Sequence, residues 1–517
     1  MPRSALVFRA FALSLASLTS LALVACDVPD DDPADEEAAF RDANRAPGTD
    51  GGASGGAGAS GGGKSGSAGM AGFPPASGNG GASSKGGASG ATGGKGGAST
   101  GGTSSGGSTS AGAGGTSSAG AGGTSTGGTS AGGKGGASGA SGKAGAAGTS
   151  AGGTSSGGTS SGGAAGAGPV PAGFLGTAGA SVVDAKGKKV RLTGVSWFGM
   201  ETSNFAPHGL WSRGMGEMLD QVKSFGFNSL RVPFCSQMLD AGSMPNGIDY
   251  SKNPSLSGKT PLEVLDALVD EAKKRGLRIV LDRHRPDANA QSELWYTAAY
   301  PEKRWIDDWR MLAKRYAKNP TVVGADLHNE PHGAATWGGD ASTDWASAAE
   351  RAGNAVLQEN PGWLVIVEGV ETAKGKSYWW GGNLRGAADR PIVLSLPGRL
   401  VYSIHDYPAS VFAQSWFSDP SYPNNLASLW DDTWGYLPKK GTAPVWIGEL
   451  GTKLQTDVDT KWLSALVTYA KNEGLGFAFW ALNPNSGDTG GILKDDWMTP
   501  DMAKLNAIAP ALAPPIE

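Results

Sequence analysis

The chain has 517 residues and a formal net charge of −4, which provides no basic footprint for nucleic acid. Glycine accounts for 85 residues, and almost all of the excess lies between Asp50 and Gly168, a block too poor in apolar side chains to bury a core. What remains, 169–517, is long enough for one large domain. It holds nearly all of the 17 tryptophans, which suit either a core or stacking on flat, uncharged ligands. There are two cysteines, Cys26 and Cys235, so no disulfide is expected inside the domain. Cys235 follows the apolar stretch Leu230 to Phe234 and reads as a small buried hydrophobe rather than a catalytic thiol.

The N-terminus carries Arg3 and Arg9, then an apolar run from Ala10 to Ala25 that is too short to span a membrane convincingly. It closes on Leu23-Val24-Ala25-Cys26, which resembles a bacterial lipobox in which Cys26 is lipidated and becomes the new N-terminus. We therefore read 1–25 as a lipoprotein-type signal peptide, 26–50 as an acidic tether and 51–168 as a disordered Gly/Ser/Ala/Thr linker. Acidic residues between Asp27 and Glu37 would be repelled by anionic headgroups. As a flexible coil, a linker of roughly 120 residues reaches on the order of 60 Å. The expected location is the cell surface or outer envelope through a lipid on Cys26, otherwise secretion. A monomer is expected, although the sequence leaves the oligomeric state open.

From Val190 onward, short apolar strands alternate with helical patterns, the signature of repeated βα units around a parallel sheet. Strand one is read from Val190 to Val195, running on to Trp197. Met215, Met218, Leu219, Val222 and Phe225 then recur at helical spacing, and Gly226 stands where a helix stops. Strand two is Ser229 to Phe234. Thr260-Pro261-Leu262-Glu263 opens the next helix as a capping box with proline at the first helical position, and Gly276 closes it. Strands three to eight are expected at Leu277–His284, Val322–Glu330, Leu364–Glu368, Leu400–His405, Pro444–Glu449 and Gly476–Leu482. Trp305, Trp309 and Trp345 lie in helical patterns and read as core. Eight strands with helices between them give an α/β fold, a closed (β/α)8 TIM barrel over 169–517. An open doubly wound sheet is disfavoured because no Gly-rich phosphate loop follows strand one.

Arg231, His284, Asn329, Glu330, His405, Tyr407 and Glu449 all fall at or just beyond the C-terminal ends of different predicted strands, the face that carries active sites in this fold. Two carboxyl groups there suit glycosidic-bond hydrolysis, one protonating the leaving oxygen and the other attacking or activating water. Val445, Ile447 and Glu449 would share one side of an ideal strand. Asn329 and Glu330 would point to opposite faces, so both can serve one site only where the strand is bulged or turned. Glu368 and Asp326 are expected inside the barrel behind the site, with Glu201 a structural partner. His208, His328 and His332 form no ligand-spaced set with acidic neighbours, so no metal or other cofactor is expected.

His328-Asn329-Glu330-Pro331 together with Trp446-Ile447-Gly448-Glu449 resembles glycoside hydrolase family 5, the cellulase family. Val195-Ser196-Trp197-Phe198-Gly199, Leu281-Asp282-Arg283-His284-Arg285-Pro286 and Gly487-Asp488-Thr489-Gly490-Gly491 are similar to its bacterial endo-β-1,4-glucanase branch. The resemblance implies Glu330 as acid/base and Glu449 as nucleophile, with Asn329 on the sugar 2-hydroxyl. It implies Arg231 and Tyr407 beside the nucleophile, His284 and His405 as subsite residues, and Trp480 as an aromatic platform, with Trp211 and Trp380 as further stacking positions. A cation at Arg231 would keep Glu449 ionised, and Glu330 should have surroundings that raise its pKa so that it can act as an acid. The expected partner is a β-glucan polysaccharide. Alternatives left open are a β-mannanase or mixed-linkage glucanase, a transglycosylase, and a non-catalytic surface carbohydrate-binding protein.

Overall fold

A computed structural model of the protein describes residues 169–517, so the signal peptide, Cys26, the acidic tether and the linker lie outside the described residues. Three short strands come first, β1 (Leu175–Ala178), β2 (Ser181–Asp184) and β3 (Lys189–Val190), paired antiparallel in a sheet of their own. Five barrel strands follow: β4 (Thr193–Ser196), β5 (Ser229–Cys235), β6 (Arg278–Arg285), β7 (Val322–Asp326) and β8 (Leu364–Glu368). After a small hairpin of β9 (Thr372–Ala373) and β10 (Lys376–Ser377) come β11 (Leu400–His405), β12 (Val445–Leu450) and β13 (Gly476–Phe479). The eight longer strands pair in parallel, and β13 meets β4 through Phe477↔Thr193 to close the barrel.

Three predicted strands are shorter than expected. The eighth ends at Phe479 instead of Leu482. Strand one does not begin at Val190, because that residue pairs with Val182 in the antiparallel sheet and the barrel strand starts at Thr193. Strand four ends at Asp326, not Glu330, for a reason that belongs to the site.

The helices follow from local chemistry. In α1 (Met215–Ser224), Met215, Met218, Leu219 and Val222 are buried along one stripe, as their spacing requires. α2 (Pro261–Lys274) starts on the capping box, with the Thr260 N–H donating to Glu263 Oε2 at 2.8 Å. Such a cap contributes about 1 kcal/mol. α3 (Glu302–Arg315) and α4 (Trp345–Glu359) bury Trp305, Trp309 and Trp345 completely. These rings do more than fill space. Trp305 and Trp309 both donate Nε1–H to Leu327 O, at 2.8 and 3.0 Å, just past the end of β7, and Trp345 donates to Glu368 O at 2.9 Å. They satisfy carbonyls left over where the strand ladders stop. The β8–β11 crossover contains no α-helix. Its Gly/Pro-rich sequence forms the small hairpin and a 3₁₀ turn at Arg385–Ala388 instead. α5 (Asn425–Trp430), α6 (Tyr436–Lys439), α7 (Asp457–Glu473) and α8 (Met502–Ile508) complete the ring.

Strand residues alternate between two environments. Leu230, Val232, Ile279, Leu281, Val365 and Val367 join the large outer core, while Val280, Val323, Leu364, Ile366, Val401, Trp446 and Ala478 fill the lower lumen. Leu175 of β1 and Ile516 of the C-terminal tail pack against that lower layer. Above it the lumen becomes ionic. Cys235 is buried with a free thiol that burial pushes up to about 12, in keeping with an inert role.

Candidate active site

Glu449 reaches the lumen through a bulge. Along β11 and β12, Ile404 pairs with Ile447 but His405 pairs with Glu449, so β12 carries one extra residue. On an ideal strand Glu449 would follow Val445 and Ile447 into the outer core. The bulge turns it inward instead. Gly448 makes this possible, because a Cβ there would lie 2.3 Å from Ser403 Oγ and 3.2 Å from His405 Nε2. Once inside, Glu449 Oε1 accepts from Arg231 Nη1 at 2.5 Å, and Oε2 accepts from Tyr407 Oη at 2.5 Å.

Glu330 reaches the same space by a turn. Beyond Asp326 the chain leaves the ladder, and Glu330 has φ of +52°, a left-handed conformation that a non-glycine residue adopts only when its surroundings enforce it. This turn brings Asn329 and Glu330 to one site. Asn329 Oδ1 accepts from Arg231 Nη2 at 2.8 Å, and Glu330 Oε1 lies 2.8 Å from His405 Nδ1. His405 Nδ1 is also 3.5 Å from Glu449 Oε2. Facing carboxylate oxygens of Glu330 and Glu449 are within 4.8 Å of each other.

Arg231 organises the floor. Fully buried, it contacts Asp282 at 3.2 Å, Asp326 at 3.0 Å and Glu368 at 3.2 Å in addition to Glu449. Burial pushes all three of these carboxyls up, opposed by Arg231 for the aspartates and by His405 first for Glu368. Asp326 and Glu368 reach about 7, and Asp282 stands well above the ordinary range. Burial alone would lower His405, but Glu368, Glu449 and Glu330 outweigh it and hold the imidazole well above its usual value. Glu330 runs opposite to the sequence expectation. Burial pushes it up, but the hydrogen bond and charge of His405 prevail and its carboxyl stands below the usual value. Both shifts favour a proton on the imidazole over one on the Glu330 carboxyl.

The remaining predicted residues flank this centre. His284 Nδ1 lies 2.7 Å from Asp282 Oδ2, and its ring stacks on Trp480, with centroids 5.0 Å apart and planes 8° from parallel. Trp480 also stacks on Phe198. Trp380 is 4 % exposed and lies flat on His332 at 3.8 Å, so Trp480 and Trp380 are both largely buried. Trp211, 39 % exposed and edge-on to Trp497, is the open ring of the three. From sequence, His332 is weighed only as a metal ligand and has no site role. Its Nδ1 is 2.6 Å from Glu330 O, and only its nearness to Glu330 in the chain could have marked it. Asp282 was missed as well, although the period-two spacing to His284 places both on one strand face. Glu201 is buried and accepts from Gly199 N–H at 2.8 Å.

Among the described residues two acidic groups have metal-ligand spacing, Glu330/His405/Glu449 and Asp282/Asp326/Glu368. The Arg231 guanidinium sits against all three carboxylates of the second group, where a cation would have to go, and His405 supplies positive charge to the first. This donor set is already served by internal cations.

Comparison with known proteins agrees with this geometry. The family model described as "Cellulase (glycosyl hydrolase family 5)" matches residues 183–486, more than half of the chain. An endoglucanase of Paenibacillus polymyxa is 53 % identical over 349 residues, covering 66 % of this chain and 88 % of that protein. The major extracellular endoglucanase of Xanthomonas campestris pv. campestris is 45 % identical over 336 residues, covering 63 % of this chain and 69 % of its own. Among solved structures, an endocellulase from Pyrococcus horikoshii in complex with cellotetraose superposes with a TM-score of 0.63 at 38 % identity, covering 66 % of this chain and all of that one (100 %). A closed eight-stranded barrel, two facing glutamates at its C-terminal end and a family match across most of that barrel lead to one conclusion: this chain belongs to glycoside hydrolase family 5, the cellulase family.

Proposed function

We propose that this enzyme cleaves internal β-1,4-glucosidic bonds of cellulose or related β-glucans with net retention, Glu449 acting as nucleophile and Glu330 as acid/base. The observation that carries the mechanism is the approach of the two carboxylates to within 4.8 Å, oxygen to oxygen. Retaining enzymes hold their carboxyls about 5–5.5 Å apart, and inverting enzymes need about 6.5–9.5 Å to admit a water. Glu330 protonates the departing sugar oxygen while Glu449 attacks the anomeric carbon. Water assisted by Glu330 then releases the covalent intermediate. Arg231 and Tyr407 each hold one oxygen of Glu449, which fixes the attack direction. Asn329 takes the sugar 2-hydroxyl, and His284 and Trp480 support the ring beside it. The β-glucan assignment is supported by the endoglucanase relatives and by the cellotetraose bound to the Pyrococcus enzyme.

A product panel tests this reading. Carboxymethylcellulose and barley β-glucan should be cut well and mannan poorly, with viscosity falling before much reducing sugar accumulates. Proton NMR of the first products should show the β-anomer. A preference for mannan of about tenfold, which is near the 1–3 kcal/mol that a few contacts can supply, would overturn the substrate. An α-anomer appearing first would overturn the mechanism.

The extracellular setting of the Xanthomonas relative supports export of this chain. Beyond that, we read Cys26 as the lipid attachment point of a surface enzyme whose long linker lets the barrel reach an insoluble polymer. Cys26→Ser should move the enzyme from the membrane fraction to the soluble fraction without changing its rate on soluble glucan. A variant that stays with the membrane would remove the anchor from this account.

A further inference from the structure

Glu368 ends β8 fully buried beneath the catalytic pair, and its two oxygens touch three parts of the site. Oε2 accepts from the Glu330 backbone N–H at 2.8 Å, at the residue held in the left-handed region. Oε1 accepts from Arg231 Nη2 at 3.2 Å and forms an ion pair with His405, 3.2 Å from Nε2 but not aligned as a hydrogen bond. The other nitrogen of that imidazole, Nδ1, meets Glu330 Oε1 at 2.8 Å. The loop carrying Trp379 and Trp380 makes room for this arrangement. A Cβ at Gly381 would sit 2.2 Å from Glu368 Oε2 and 3.1 Å from Glu330 Cα, so only glycine lets the loop close over both.

We infer that Glu368 is a positioning residue for the acid/base: it fixes the turned backbone of Glu330 and sets its charge against the Nε2 side of His405, so that Nδ1 and Glu330 share one mobile proton. This rests on the assignment of Glu330 as acid/base made above. In the resting site the shared proton lies on Nδ1, facing Glu330 Oε1, with Glu368 across the ring at Nε2. As the sugar oxygen approaches, the proton passes from Nδ1 to Glu330 Oε1 and then to the leaving oxygen, leaving neutral His405 and ionised Glu330. The attacking water returns one proton to Glu330, which goes back to Nδ1, and the cycle closes with no net gain or loss. The charged groups around Glu368 are Arg231 from β5, Asp326 from β7, Glu330 from the turn after β7 and His405 from β11; Asp282 and Glu449 lie across Arg231. Burial pushes Glu368 up to about 7, close to where this proton must move.

The test is the pH profile of Glu368→Gln on a natural β-glucan and on a dinitrophenyl cellobioside, whose leaving group needs no protonation. Glutamine can still accept from the Glu330 N–H, but it removes the charge facing His405, so the shared proton is lost earlier. The alkaline limb of kcat/KM should move down by about one pH unit, and kcat on glucan should fall about tenfold, a small share of what general acid catalysis supplies. The activated substrate should lose little, and KM should change less than kcat. An unmoved alkaline limb, in a variant that folds, overturns the inference. Should that variant not fold, 15N NMR of His405 in the wild-type enzyme decides it: Nε2 should stay protonated from about pH 5 to 8, and a deprotonated Nε2 overturns the arrangement. Glu330→Gln run in parallel separates the two failures. If its loss is equal on both substrates, the acid/base assignment itself falls. If it behaves as an acid/base while Glu368→Gln leaves the profile unmoved, only the role of Glu368 falls.

Discussion

Glu449→Gln is expected to abolish turnover on every substrate, by on the order of 10⁴-fold or more, as removal of a nucleophile does. The amide cannot attack the anomeric carbon, and its single oxygen must serve the donors Arg231 and Tyr407 that now divide two carboxylate oxygens. Glu330→Gln should behave differently. On natural glucan the loss should be about 10²–10⁴-fold, the range for general acid catalysis. On an aryl substrate with a dinitrophenolate leaving group the first step should survive, seen as a burst of phenolate followed by slow release of sugar. Stopped-flow absorbance on the two variants checks this. A burst from Glu449→Gln, or equal losses from Glu330→Gln on both substrates, would reverse or remove the assignments.

The second large effect is on stability. Arg231→Met should destabilise the barrel by about 3–5 kcal/mol, since it takes the cation in contact from Asp282 and Asp326 and leaves Glu368 and Glu449 with His405 alone. The penalty should depend on pH, with a definite sign. Asp326 and Glu368 are already raised to about 7 in the folded protein, so between the ordinary carboxylate range and 7 the native state binds more protons than the unfolded chain. Their contribution to stability is present at low pH and lost as pH rises through 7. Without the guanidinium these carboxyls rise further, so the gap between variant and wild type should widen from about pH 5 to 8. Denaturant midpoints at several pH values measure it. Arg231→Lys should fall between the two, because an ammonium cannot reach four carboxylates as a planar fork does. A methionine variant within about 1 kcal/mol of wild type across that range would mean that Arg231 does not hold the floor together.

Much of this was legible in the order of residues. Apolar runs four to eight residues long, separated by amphipathic stretches with caps at Thr260 and stops at Gly226 and Gly276, specify strand and helix through local periodicity, and eight such units leave few ways to bury both faces of a parallel sheet except closure. Predicted strand ends alone placed Glu330, His405 and Glu449 at the C-terminal face, whereas Arg231 is third of the seven residues of β5 and reaches the same floor from within its strand. Long-range contacts decided the rest. Strands β1 to β3 are two to four residues long and too brief to carry a period. The inward turn of Glu449 depends on an extra residue at Gly448, which only the pairing with β11 reveals. The left-handed Glu330 is held by Glu368, 38 positions away in sequence. Trp380 is buried and lies flat on His332, 48 positions away in sequence. The shifts that favour a proton on His405 over Glu330 were out of reach too, because a pKa is set by every charge within a few ångströms, and the carboxylates that surround that imidazole come from separate segments which only the closed barrel brings together.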